Sequence, residues 1–332
     1  MKYRLKLTTK STVDSNNNPI LSILSKKSKF DRLFPKIAIA AAIYTLLMLA
    51  LILYAVGDGS KEIFEKEGLE FIIGTDWNAV YGRESFGALP YIIGTLVTSG
   101  IAMIIAIPVS LGIAIFLSEI AGSKIRTILS FVIELLAAVP SIIYGFWALF
   151  VFRFWLVDYV ERPLYNAFGD SIYLFGKYPF GLDIFSAGIV LSIMIIPIIS
   201  SIIRELLQVV PDSQREAAYS LGASRWETIK ISVLPYVKSG IMGASIIGLG
   251  RAVGETMLVT LIIGNAIGIN AIPDSLFSQS QTLASLIANE FNEAASDLHL
   301  SALIGLGVIL LGLTLVINII ARIFVFKMVK AK

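Results

Sequence analysis

Arg251 and Glu255 stand four residues apart in the apolar string GLGRAVGETMLVTLIIGN, Gly248 to Asn265, and few other side chains in the sequence could do chemistry. A guanidinium is a planar fork of donors suited to an oxyanion, and a carboxylate one helical turn away can keep that fork oriented and partly neutralised. On one helix face the two can pair, although Arg preceding Glu is the weaker order for such a pair. Gly250 and Gly254 flank both charges in a small-xxx-small spacing that lets another helix come close. Two roles stay open: a gate for an anion, or a structural ion pair joining two helices. Glu134, in a second apolar stretch, is a further candidate for the same path.

Other chemistries lack the residues they need. Cysteine is absent and His299 is the single histidine, so thiol catalysis, iron–sulfur clusters, disulfides and zinc sites have no ligand set. Neither G-x-x-x-x-G-K-[ST] nor G-x-G-x-x-G occurs, so the chain is not expected to hydrolyse ATP by a P-loop. We expect no enzyme activity, no metal and no cofactor bound by this chain.

What must position Arg251 is a membrane-embedded helix. The 332 residues are 56% hydrophobic and only 15% charged, too apolar for a soluble domain of this length. In a hydrocarbon core about 30 Å thick no water satisfies the backbone, so long unbroken apolar runs read as helices of roughly 20 residues. The fold class is all-α integral membrane, with six transmembrane helices expected at 37–56, 89–118, 125–152, 183–207, 236–263 and 301–326. On that placing Arg251 lies roughly 20 Å from the start of its helix. A charge at such depth costs about 2.5 to 3.5 kcal/mol on insertion scales unless it is paired or wet.

The distribution of Lys and Arg sets the orientation. Residues 1–36 form a basic tail, expected to be disordered and cytoplasmic, with Lys26, Lys27, Lys29, Arg32 and Lys36 at its end. Segment 57–88 is dominated by Asp and Glu and is expected outside. So is 264–300, which has no Lys or Arg and in which Leu283, Leu286, Ile287, Phe291 and Ala294 recur at helical spacing, either as an amphipathic helix or as a packed cap. Residues 153–181 read as an aromatic outer loop. The end, 327–332, carries Lys327, Lys330 and Lys332, which places both termini inside.

Between the fourth and fifth spans, 208–235 contains PDSQREAAYSLGASRWETIKISVLP. Ser213 with Glu216, and Ser224 with Glu227, each fit a capping box, and Gly222 between them can end a first helix in the left-handed conformation. The expected object is a helix, a tight turn and a second helix that present Ala217, Ala218 and Leu221 beside Arg215, Arg225 and Trp226, a ridge for a partner's groove. A DNA-reading helix-turn-helix would need a surrounding domain for which this loop has no room, so no nucleic-acid partner is expected.

The pattern E-A-A-x3-G, completed by L-P at Leu234 and Pro235, resembles the EAA loop of binding-protein-dependent ABC importer permeases, the MetI-like family. That resemblance implies that Glu216, Ala217, Ala218, Gly222, Arg225 and Trp226 belong to a coupling element that docks on a cytoplasmic ATPase. Ser232 departs from the family's usual Ile or Val. The strings FGALPYIIGTLVTS, PVSLGIAIFLSE, ELLAAVPSIIYGFW and GLGRAVGETMLVTLIIGN are similar to the C-type permeases of phosphate-specific ABC importers. What this implies is a type I importer permease with a six-helix core over 89–326, in the cell membrane of a prokaryote. Its implied partners are a sister A-type phosphate permease, two ATPase subunits that hold ATP and Mg, and an external phosphate-binding protein. Any tetrahedral oxyanion suits the same Arg, so a sulfate or molybdate permease is the alternative. An ion-driven secondary transporter lacks an evident inverted repeat. In a non-transporting assembly factor, Arg251 and Glu255 would be purely structural.

Overall fold

The structure, a computed structural model, describes residues 29–169 and 171–330. Most of the expected basic tail, 1–28, and the last two residues of the expected cytoplasmic end lie outside the described residues. Helix α1 covers Lys29–Gly59. The Arg and Lys residues at 29, 32 and 36, expected in a tail, are helical, because charged straight-chain residues extend a helix at little cost beyond its apolar stretch. The chain divides into two compact units at residue 55, the first containing most of α1.

In the second unit α2 (Lys61–Lys66), α3 (Glu70–Ile73) and a two-stranded ribbon of β1 (Trp77–Asn78) and β2 (Ser85–Phe86) lead into α4 (Leu89–Ile120). Then follow α5 (Ser123–Ala138), α6 (Ser141–Phe168), α7 (Ile184–Gln208), α8 (Asp212–Ser220), α9 (Arg225–Val253), α10 (Met257–Ile262), α11 (Leu283–Glu290) and α12 (Asp297–Lys330). Among the described residues, six helices have the length and composition to cross a membrane: α1, α4, α6, α7, α9 and α12.

Two spans depart from their expected form. The stretch 125–152 is not one helix: Val139 and Pro140 are extended, with ψ of 127° and 138°, and they separate α5 from α6. Pro140 has no N–H to continue the ladder and its ring drives the preceding residue out of helical geometry. The Tyr144 hydroxyl closes the break by donating to the Leu136 carbonyl at 2.9 Å. The spanning helix therefore starts at Ser141 and runs to Phe168, so Trp155, Tyr159 and Tyr165 lie on a helix and not in a loop. The stretch 236–263 begins earlier, at Arg225, and is interrupted at residues 254–256 before α10.

Helix α7 is the axis of the core. Its Val190, Leu191, Met194, Ile195, Ile199 and Ile203 are buried against α4 and α9. Gly248 permits the α9 approach, since a Cβ there would sit 2.4 Å from the Ile199 Cδ1. A second core at the other end gathers Ile63, Phe71, Trp77, Phe86 and Tyr91 with Leu283, Leu286 and Leu303. Here Glu290 accepts from the Trp77 indole at 2.9 Å, and the buried His299 holds its Nε2 2.9 Å from the same oxygen. The apolar positions of α11 thus face a packed cap, whereas Phe291 lies beyond the helix and is exposed.

Candidate transport site and docking hairpin

The hairpin between α7 and α9 is built by local capping. Pro211 occupies the N-cap of α8 with extended backbone, which puts Ser213 inside the first turn. The expected Ser213–Glu216 box is therefore not formed, and the Glu216 carboxylate is left exposed. At the other end Gly222 adopts φ +84°, Ala223 N–H reaches the Ala218 carbonyl at 3.2 Å, and Gly222 N–H reaches that of Tyr219 at 2.9 Å. This is a Schellman closure, which only a residue free of a Cβ makes without strain. The Ser224–Glu227 box is formed, with Glu227 Oε2 accepting from Ser224 N at 2.8 Å and Glu227 N donating to Ser224 Oγ at 3.4 Å.

The ridge is partly other than expected. Ala218, on α8, is buried, while Leu221 is 90% and Trp226 60% exposed, beside exposed Glu216, Ala217 and Arg225. Ser232, the departure from the family pattern, donates to the Gln214 carbonyl at 2.8 Å and so ties the two arms of the hairpin together. Arg215 points the other way. Its Nη2 and Nε meet the Glu119 carboxylate at 2.8 and 3.3 Å, and it also donates to the carbonyls of Val210 at 2.7 Å and Leu207 at 3.0 Å. The Glu119 side chain, distant in sequence, carried no signal by which the sequence could assign it to the hairpin.

Arg251 and Glu255 are held differently from a pair on one helix face. Helix α9 ends at Val253, and the Gly254 backbone turns to φ −90°, ψ 0°. Glu255 is swung off the helix face and buried, and its Oε1 accepts from Leu258 N at 3.4 Å at the start of α10. No ion pair joins it to Arg251 among the described residues. Arg251 is exposed, and no carboxylate among the described residues pairs with its guanidinium. The physical cause is glycine: Gly254 has the weakest helix preference after proline and gives way one turn after Arg251.

Among the described residues no neighbouring helix packs directly against Gly250 or Gly254. A Cβ on Gly250 would meet nothing within 4 Å, and one on Gly254 only the Gly250 carbonyl. Both line an open groove of about 790 Å³ between α9 and α12, whose polar contributors are Thr314, Asn318 and Arg322. Glu134 lies apart from this groove. It pairs with Arg204 at 2.9 Å and so joins α5 to α7. In the sequence Arg204 reads as an ordinary charge at a helix end.

A family model described as binding-protein-dependent transport system inner membrane component matches residues 106–330. The chain is 47% identical to the phosphate transport system permease protein PstC of Pasteurella multocida, over 87% of this chain and 89% of that protein. It is 42% identical to PstC of Haemophilus influenzae, over 93% of this chain and 99% of its relative. Among solved structures, a chain of a bacterial alginate ABC transporter, in complex with an alginate pentasaccharide-bound periplasmic protein, superposes with a TM-score of 0.54. That likeness, at 18% identity and over 87% of this chain and 96% of the other, concerns the fold alone. The α4–α7–α9 core, the EAA hairpin and the near full-length identity agree: the chain belongs to the inner membrane permease components of binding-protein-dependent transport systems, in the PstC family.

Proposed function

We propose that this chain is the transmembrane permease subunit of an ATP-driven phosphate importer and forms half of its translocation path. The observation that carries the reading is the near full-length similarity to phosphate transport permeases. Two features of the structure support it. The hairpin offers an exposed Leu221–Trp226 ridge suited to a protein groove, and Arg251 offers an exposed fork of donors suited to an oxyanion.

In this reading the protein sits in the cell membrane of a prokaryote with both termini in the cytoplasm, as the spread of Lys and Arg supports. The hairpin docks on one of two ATPase subunits, which bind ATP and Mg. An external phosphate-binding protein delivers substrate to the acidic outer end. The open groove at Gly250 and Gly254 faces the sister A-type permease, since two glycines with no side chain of the described residues against them leave room for a close helix from another chain. ATP-driven closure of the ATPases then moves the hairpin and exposes Arg251 to each side in turn. The chain itself does no covalent chemistry.

The test is phosphate uptake into proteoliposomes holding the assembled complex, with ATP and the binding protein supplied. Uptake should require both. Accumulation without the ATPase subunits would remove the reading, and stronger transport of sulfate or molybdate than of phosphate would reassign the substrate.

A further inference from the structure

Arg215 has a position its neighbours in the hairpin do not share. Glu216, Ala217, Leu221 and Trp226 are exposed, whereas Arg215 turns inward and its side chain is only 18% exposed. It reaches three elements at once. On α4 it meets Glu119, whose side chain is 11% exposed, nitrogen for oxygen on both carboxylate atoms. On α7 it meets the Leu207 carbonyl in the last turn, and just beyond that helix the Val210 carbonyl, groups that the end of a helix leaves without an internal partner. Its own backbone lies in α8, where the exposed Asp212 adds a contact at 3.2 Å.

The Glu119 end is fixed as firmly. Residues 116–120 form a π-helical turn that ends α4, and Ala121 N–H closes it on the Phe116 carbonyl at 2.7 Å. Arg126 donates to the Ser118 carbonyl at 2.9 Å, and Arg225, from the second arm of the hairpin, donates to the Glu119 carbonyl. A two-point fork between half-buried charges resists both stretching and shear, which a single lysine contact would not. Farther along, α4 and α7 are joined by the Ser110 hydroxyl on the Ile196 carbonyl at 3.1 Å, so the two helices can move together.

We propose that the Arg215–Glu119 ion pair is the link that carries a displacement of α8 into the ends of α4 and α7, in parallel with the covalent route into α9. Arg215 and Glu119 are positioning residues for transport: they touch neither nucleotide nor substrate. The proposal rests on the reading of the hairpin as the ATPase dock. It adds that the stroke is divided among three core helices.

The experiment measures phosphate taken up per ATP hydrolysed by the assembled importer in proteoliposomes, alongside the amount of ATPase retained on the complex. In Glu119→Gln the ATPases should stay bound and hydrolysis should persist, while uptake per ATP falls about tenfold or more. Arg215→Lys, which keeps the charge and loses the fork, should fall between wild type and Arg215→Gln. The double variant Glu119→Gln with Arg215→Gln should be no worse than either single one, as expected of two groups acting as a unit. An unchanged ratio in Glu119→Gln, or effects that multiply in the double variant, would overturn the link. Because the chain has no cysteine, Ile120→Cys with Ser213→Cys, on exposed positions of α4 and α8 outside the docking ridge, can carry spin labels that leave the pair intact. Their separation should stay constant through the ATP cycle, and a change would also overturn the proposal. Trp226→Ala separates this from the dock: retention of the ATPases in that variant argues against the dock, whatever the ratio in Glu119→Gln.

Discussion

Glu255 follows Arg251 by four residues yet turns away from it, accepting the Leu258 N–H at 3.4 Å while Arg251 remains exposed. A continuous helix would have stacked the two side chains. The interruption at Gly254 separates the two charges, the carboxylate meeting the start of α10 and the guanidinium lying exposed on α9.

Arg251 should accordingly be sensitive to the shape of its side chain as well as to its charge. Arg251→Gln removes a charged donor worth roughly 1.5–3 kcal/mol, so uptake should fall about tenfold to a hundredfold. Arg251→Lys keeps the charge without the planar fork and should recover only part. Radiolabelled phosphate uptake by the assembled complex reads both. Full uptake in Arg251→Gln would leave Arg251 with no part in the path.

Glu255 should behave as a cap. Glu255→Gln retains an acceptor for Leu258 N–H and should change uptake little, whereas Glu255→Ala removes it and should cost about 1 kcal/mol of stability. A melt of the purified protein in detergent distinguishes them. If Gln proved as damaging as Ala, the negative charge would matter in itself, and pairing with Arg251 in another state of the importer would have to be restored to the account.

The reach of the sequence follows from the range of the interactions. The Ser224–Glu227 box and the left-handed turn at Gly222 are local, involve residues five or fewer apart and are legible from residue type alone. The first box fails by one position, because Pro211 already serves as the cap. Pro140 sits inside a continuous apolar run that reads as one span, although its missing N–H splits the run in two. The face shared by Arg251 and Glu255 assumed an unbroken helix, an assumption that Gly254 defeats. The Glu119–Arg215 and Glu134–Arg204 pairs lie beyond any local pattern, since each joins segments separated by whole helices.

Gly222 offers a test of the hairpin alone. Gly222→Ala forces a Cβ into a backbone at φ +84°, which costs roughly 1–2 kcal/mol, and the Schellman closure should loosen. Hydrogen exchange at the Ala223 amide should accelerate about tenfold, and phosphate-stimulated ATP hydrolysis should drop with it. Unchanged exchange would mean that the turn is held by the Ser224–Glu227 box and the Ser232–Gln214 contact without help from Gly222.

Asp183 provides a dependence on pH. It caps α7 by accepting from Ser186 N at 2.8 Å, and its other carboxylate oxygen is buried with no hydrogen-bond partner among the described residues. Burial first, and then the nearby Glu161 carboxylate, hold the Asp183 carboxyl well above the usual carboxylate range. In the unfolded chain it titrates near its ordinary value of about 4. Between that value and the raised one the folded state binds the proton and the unfolded state does not. The contribution to stability is therefore complete below the unfolded value and is lost as pH rises through the raised one. The melting temperature in detergent should fall as pH rises above the ordinary carboxylate range. Asp183→Asn keeps the acceptor for Ser186 N–H and cannot ionise, so it should flatten that slope, raising stability at pH 8 relative to wild type with little change at pH 4. An equal slope in both proteins would assign the pH dependence to other groups.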